Sequence, residues 1–175
     1  ETLVKESPQL QAPKVALAML YNQAGQPADA VRTFIDAAKI TPDAIQPLQR
    51  AGQVYAQNHS PEEVQQWLAD VGQENPELKR NADTLAALIN IRQGRLAEAR
   101  ALLYEWQTSD SEAVNRATGQ LLRAEAQTAA SEEDYTTARA KAAEAIAMEP
   151  ENLGYALLPV GIYQMEGKLD EALNA

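Results

Sequence analysis

The stretch AMLYNQAGQPADAVRTFIDAAKITP, residues 18–42, decides how the chain is read. Small, aromatic and breaker residues fall along it at the spacing of a helical hairpin. Ala30 and Ala37 are small where two antiparallel helices must cross closely, Tyr21 and Phe34 fill the space between neighbouring hairpins, and Gly25 permits a tight turn. Pro42 ends the second helix, since its ring cannot continue the i→i−4 ladder, and opens the next unit.

The same register recurs along the chain. Pro8, Pro42 and Pro76 stand 34 residues apart, Tyr21 and Tyr55 share that interval, and Ile89 takes the next place. The second unit reads Gly52, Tyr55, His59, Val64, Leu68, Val71 and Pro76, and the third Ala86, Ile89, Gly94, Ala99, Leu103 and Trp106. A fourth follows through Tyr135, Ala138, Ala142, Ala145 and Pro150, and a fifth opens with Tyr163, Gly167, Leu169, Ala172 and Leu173. A fixed period of this length marks small helical units that bury their apolar faces only by stacking on neighbours. The expected division is a remnant over 1–10, repeats over 11–44, 45–79 and 80–112, an irregular repeat over 113–152, and an incomplete one over 153–175, all in a single solenoid.

This pattern resembles the tetratricopeptide repeat, whose helix-turn-helix unit carries small residues, an aromatic and a closing proline in this order. The resemblance covers essentially the whole chain, with Ala30, Val64, Ala99, Ala138 and Ala172 spaced by 34, 35, 39 and 34 residues. It implies an all-α fold, a right-handed superhelical solenoid of antiparallel helix pairs. Departures are visible. Lys14 and Leu48 stand where the first helix usually carries tryptophan, Glu133 occupies a turn place expected to be glycine, and Pro159 falls inside the first helix of the last unit, which it should kink or start.

Helix starts carry capping chemistry. Ser60-Pro61-Glu62-Glu63 supplies an N-cap serine, a proline at the first helical place and a glutamate three residues on, a capping box; Ser131 to Asp134 reads as a looser version. Thr41-Pro42-Asp43 and Ser109 to Glu112 also read as starts, and the extra length at the third junction predicts a long helix from about Ala113 to Ala129. Trp67 and Trp106 fall at core-facing places of second helices, while Tyr104 points to the outside.

Composition agrees with helices and narrows the chemistry. Of 175 residues 45% are apolar, net charge is -10 and the isoelectric point about 4.6; there is no cysteine and one histidine, His59. Thiol nucleophiles, thiolate metal sites and disulfides are thereby excluded, and His59 reads as a turn residue in the place other units give to glycine. The pairs Glu62/Glu63 and Glu132/Glu133 lie in first turns, where negative charge favours the helix dipole. No phosphate loop, basic cluster for nucleic acid, or apolar run long enough to span a membrane occurs. The chain therefore reads as non-catalytic, with no cofactor, metal or nucleic acid expected.

The resemblance places function on the inner surface lined by first helices, where a peptide or a partner's helix would lie. The register assigns Met19, Asn22 and Gln23 from the first unit, Gln49, Arg50, Gln53 and Gln57 from the second, Asn81, Thr84, Leu88 and Arg92 from the third, and Arg123 and Gln127 from the fourth. Arg50, Arg92 and Arg123 are its cations, available to an acidic group unless they pair with neighbours such as Glu125. The lysine and asparagine with which chaperone-tail binders of this family begin their carboxylate clamp are replaced by Val15 and Met19, which disfavours that role.

A protein or peptide partner is thus expected. The residue usage is similar to long bacterial arrays that serve the envelope, including exopolysaccharide export, so a periplasmic scaffold is favoured; a cytoplasmic adaptor for a regulatory peptide, or an accessory region of an enzyme, stand as alternatives. Pro8 and Leu3 at one end and Leu169 to Ala175 at the other read as cut units of a longer array. Helical faces left open there would suit self-association, one copy docking on another.

Overall fold

The apolar positions of the register become the interior of packed helix pairs. The computed structural model of the chain describes residues 10–174, Asn174 by its backbone alone; the expected remnant over 1–10 lies outside them, Leu10 excepted. In chain order the helices are α1 Gln11–Gln23, α2 Pro27–Ile40, α3 Gln46–Tyr55, α4 Pro61–Glu74, a 3-10 turn Pro76–Leu78, α5 Lys79–Arg92 and α6 Leu96–Tyr104, then α7 Glu112–Ser131, α8 Tyr135–Met148, α9 Leu153–Ala156, α10 Leu158–Glu166 and α11 Leu169–Asn174. No strand occurs among the described residues. The chain divides into two compact units, Glu1–Ile89 and Asn90–Ala175, with the boundary inside α5.

In the first unit α2 packs against both α1 and α3. Ala30, Ala37 and Ala38 are fully buried on α2, and this lets the helices approach closely, while Phe34 fills the space between them at 2% exposure. Leu48, Ala51 and Val54 of α3 and Val64, Leu68 and Val71 of α4 continue the interior. In the second unit α7 and α8 form the largest contact, built on Ala126, Ala129 and Ala130 against Ala138 and Ala142. The long helix expected at the irregular junction is α7, of 20 residues.

Four of the turns within pairs have one geometry. Gly25, Gly94, Glu133 and Gly167 all have φ between 63° and 79°, and the next residue's N–H reaches back five positions, as in Gln26 to Tyr21 O and Asp134 to Ala129 O, both 2.9 Å. This is a Schellman termination, whose left-handed residue is strained unless it is glycine. Glu133 carries that strain. Replacing it by glycine should raise stability by roughly 0.5–1 kcal/mol, the relieved strain being partly offset by the freer unfolded chain. The melting temperature of Glu133→Gly, measured by calorimetry, should rise by about 2 °C; a fall would contradict the strain.

The second pair turns differently from these four, and His59 lies exposed between α3 and α4, as expected of a turn residue. No positive φ occurs there. Instead His59 Nδ1 lies 2.7 Å from the Tyr55 carbonyl oxygen, and since that oxygen only accepts, the proton is on Nδ1. The imidazole stacks on the Tyr55 ring at 3.8 Å, and Tyr55 stacks in turn on Trp67 at 4.9 Å. The histidine is thus a side-chain terminator of α3, backed by two aromatic rings.

Ser60 and Glu63 form the expected capping box, with Ser60 N donating to Glu63 Oε2 at 2.7 Å and Glu63 N to Ser60 Oγ at 3.3 Å. The bond from the Ser60 backbone holds the Glu63 carboxyl below its ordinary pKa. Its contribution is therefore present above the ordinary glutamate pKa and fades as pH falls through the depressed value. Ser60→Ala should cost about 1 kcal/mol at neutral pH in urea titrations. An unchanged midpoint would refute it.

Other starts differ from expectation. Ser131 ends α7, its hydroxyl donating to Thr128 O, and Asp134 caps α8 by accepting from Thr137 N. Thr41-Pro42-Asp43 forms a turn, and α3 begins only at Gln46, with Pro47 in its first turn. Trp106 lies just beyond α6, in the turn after Tyr104, not on the helix; Tyr104 itself is 68% exposed. Pro159 starts a helix, as one of its two expected effects, sitting in the first turn of α10 after the short α9.

Candidate functional surface

In the first unit the first helices bring predicted residues side by side. Arg50 Nη1 lies 4.0 Å from Met19 Sδ, which sets α3 beside α1. Met19, Gln49, Arg50 and Gln53 are exposed and Asn22 is half-buried; Gln57 is exposed but lies in the turn beyond α3. Leu88 is half-buried on α5.

Asn81 and Thr84 do not belong to an open surface. They are 1% and 0% exposed. Asn81 Nδ2 donates to Pro42 O at 2.8 Å, while its neighbour Arg80 pairs with Asp43 at 2.7 Å, so the start of α5 clamps the turn between α2 and α3. Thr84 Oγ1 donates to Arg80 O one turn back in its own helix. Spacing alone could not separate these roles, because a first-helix place with a polar residue suits either a ligand or the neighbouring turn.

In the second unit Arg92, Arg123 and Gln127 are exposed. The arginines differ from the rest of their kind. Arg32 pairs with Asp29, Arg80 with Asp43, Arg100 with Glu125, Arg116 with Glu112 and Arg139 with Glu166, and Arg95 donates to Asn90 and Gln93. Among the described residues Arg50, Arg92 and Arg123 make no ion pair, and Glu125, the expected neutralising neighbour, is taken by Arg100. On a chain of net charge -10 these exposed cations are local exceptions.

A cleft that the sequence reading missed lies between α7 and the α9–α10 segment, with a volume of about 400 Å³. Ala126, Gln127 and Ala130 form the α7 wall, Leu157, Gly161 and Met165 the opposite one, and Leu158 and Ile162 the floor. Leu157 and Met165 are 65% and 55% exposed at the rim. Leu122 of α7 groups with Tyr155 of α9, and Ala126 and Ala130 of α7 with Ile162 of α10. The signal was available in Leu157, Gly161 and Met165, spaced by four residues, but Pro159 drew attention to a break instead.

Tyr155 is buried with Leu122 and Ala145. Burial pushes its phenol above the ordinary tyrosine pKa, Glu149 adds to that, and the positive charges of Arg123 and Arg116 oppose it. Arg123 lies one turn before Gln127, a residue of the cleft wall, on the same helix. No cluster of side chains suited to a metal occurs among the described residues.

Neither family models nor curated protein sequences give a match. Solved structures do. PilF of Pseudomonas aeruginosa is similar at a TM-score of 0.55 and 18% identity, over 98% of this chain and 75% of that one. PilW, described as a widely conserved type IV pilus biogenesis factor, gives 0.56 and 16% over 98% and 77%. YrrB, a TPR protein with an unusual peptide-binding site, gives 0.54 and 14% over 99% and 86%. At these identities the likeness establishes the fold.

Proposed function

This chain has the tetratricopeptide-repeat fold, and from that premise we propose that it is a non-catalytic scaffold holding a protein or peptide partner against its first helices. The observation that carries the reading is the set Arg50, Arg92 and Arg123: exposed, on first helices, and without ion pairs among the described residues, Arg50 reaching only Met19 Sδ, while the other arginines there pair with carboxylates or, as Arg95 does, donate to side-chain amides. Leaving a guanidinium unpaired costs little in water, so its exposure alone is ordinary; three on the same class of helix suit an acidic partner. The one histidine is spent on ending α3 and stacking on Tyr55, which favours binding over catalysis.

The setting we propose is a bacterial envelope assembly. One similar structure is named a pilus biogenesis factor, which supports an envelope role more than a cytoplasmic adaptor or an enzyme's accessory region. Exopolysaccharide export is the narrower form suggested by composition. Crosslinked pull-down of the full-length protein from its source cells, with periplasmic, membrane and cytoplasmic fractions separated, tests this. Envelope subunits in the eluate are expected; cytoplasmic regulators alone would overturn the setting, and an empty eluate the scaffold itself.

A further inference from the structure

We propose that Met19 is a site of reversible oxidation, a thioether that a peroxide converts to the sulfoxide and whose new oxygen then takes an N–H of Arg50. Sulfur in this chain is confined to thioethers at the surface. Cysteine is absent, and the three methionines, ordinarily residues of the interior, are Met19, Met148 and Met165, exposed to 42%, 36% and 55%. A two-electron oxidant that reaches the protein therefore finds its sulfur nucleophiles uncovered.

What sets Met19 apart is its neighbour. Arg50 Nη1 approaches Met19 Sδ from α3 at 4.0 Å, and Arg50 makes no ion pair among the described residues. By contrast Arg116, which shares a cleft with Met148, is engaged by Glu112, and Arg139, on the helix packed against that of Met165, by Glu166. A thioether sulfur is a weak acceptor and holds a guanidinium loosely, whereas oxidation makes the group polar. An oxygen placed on the side of sulfur that faces Arg50 falls inside the 4.0 Å separation, at the reach of an ordinary N–H···O bond.

The chemistry balances with one oxidant and one reductant, both supplied from outside the chain. A lone pair of Sδ attacks one oxygen of hydrogen peroxide, the O–O bond breaks, and the departing oxygen takes the hydrogen of the transferred one to leave as water. Sulfur loses two electrons, which the peroxide gains. A dithiol reductase reverses the step, its thiols becoming a disulfide as the oxygen leaves as water. Oxidation thereby replaces an apolar contact on the α1–α3 surface with a charge-assisted bond and leaves Arg50 one donor fewer for an acidic group.

The test uses the full chain carrying Met148→Leu and Met165→Leu, volume-conserving changes at exposed places, so that Met19 is the one thioether. Hydrogen peroxide is applied to the folded protein and to N-acetylmethionine amide, and oxidation is followed by mass spectrometry. Met19 should oxidise within about tenfold of the rate of the free amide, and methionine sulfoxide reductase should restore it. In magnetic resonance spectra the exchange of the Arg50 guanidinium protons with water should slow by about threefold or more on oxidation and recover on reduction. Oxidation should also lower the melting temperature by about 2 °C less with Arg50 present than in the Arg50→Ala variant. Slower oxidation of Met19 than that, Arg50 protons exchanging equally fast in both states, or equal melting shifts with and without Arg50 each overturn the proposal. All are read on the chain alone, so such a failure leaves the scaffold reading untouched.

Discussion

Phe34→Ala is expected to lower stability by about 3–5 kcal/mol, the usual cost of emptying an aromatic site in a packed interior. Phe34 is the chain's one phenylalanine, and at 2% exposure it is enclosed on a helix that packs against both α1 and α3. Its flanking buried residues on α2, Ala30, Ala37 and Ala38, are alanines with no volume to spread into the gap. Local collapse therefore cannot refund the loss. Calorimetry should show a fall of roughly 10 °C in melting temperature. Because repeat units depend on nearest neighbours, hydrogen exchange should quicken first in α1 to α3. A loss under about 1 kcal/mol would mean that the aromatic place of the register is not an interior one.

The second large effect comes from Gly119, in the middle of α7. A Cβ there would stand 2.8 Å from both Cε2 and Oη of Tyr155. Tyr155 cannot easily withdraw, being 3% exposed and enclosed by Leu122 and Ala145. Gly119→Ala should thus cost about 1–2 kcal/mol net, overpacking outweighing the gain of roughly 1 kcal/mol that alanine brings to a helix interior. The double substitution with Tyr155→Leu should recover most of the loss, a coupling measurable in a thermodynamic cycle. Independent, additive effects would show that the close approach is not what keeps residue 119 small.

The glycines show what a sequence can and cannot disclose. Glycines at turn places, Gly25, Gly94 and Gly167, fall on the repeat interval, and the same interval located the strained Glu133. Phe34, Ala30 and Val64 were legible for the same reason: a period imposes one environment on corresponding places. Gly119 and Gly161 fall outside that shared grammar, and only the neighbours in space separate a glycine forced by Tyr155 from one beside an open cleft. The capping box at Ser60 was readable because its partners are three residues apart, whereas Asn81 bonds to Pro42, 39 residues away. The arginines were found by register, but their lack of ion pairs was not, since closeness in sequence misleads on a helix: Glu125, two residues from Arg123, falls on a different face of α7 and pairs with Arg100.

The account depends most on those three cations facing a partner. Once a partner has been captured from source cells, its affinity should be measured by calorimetry for the parent protein and for the combined Arg50→Glu, Arg92→Glu and Arg123→Glu variant, with circular dichroism confirming that the helices persist. Binding weaker by about a hundredfold or more, with a steeper loss at low salt than at high, is the predicted result. Unchanged affinity at both salt concentrations would contradict recognition along the first helices.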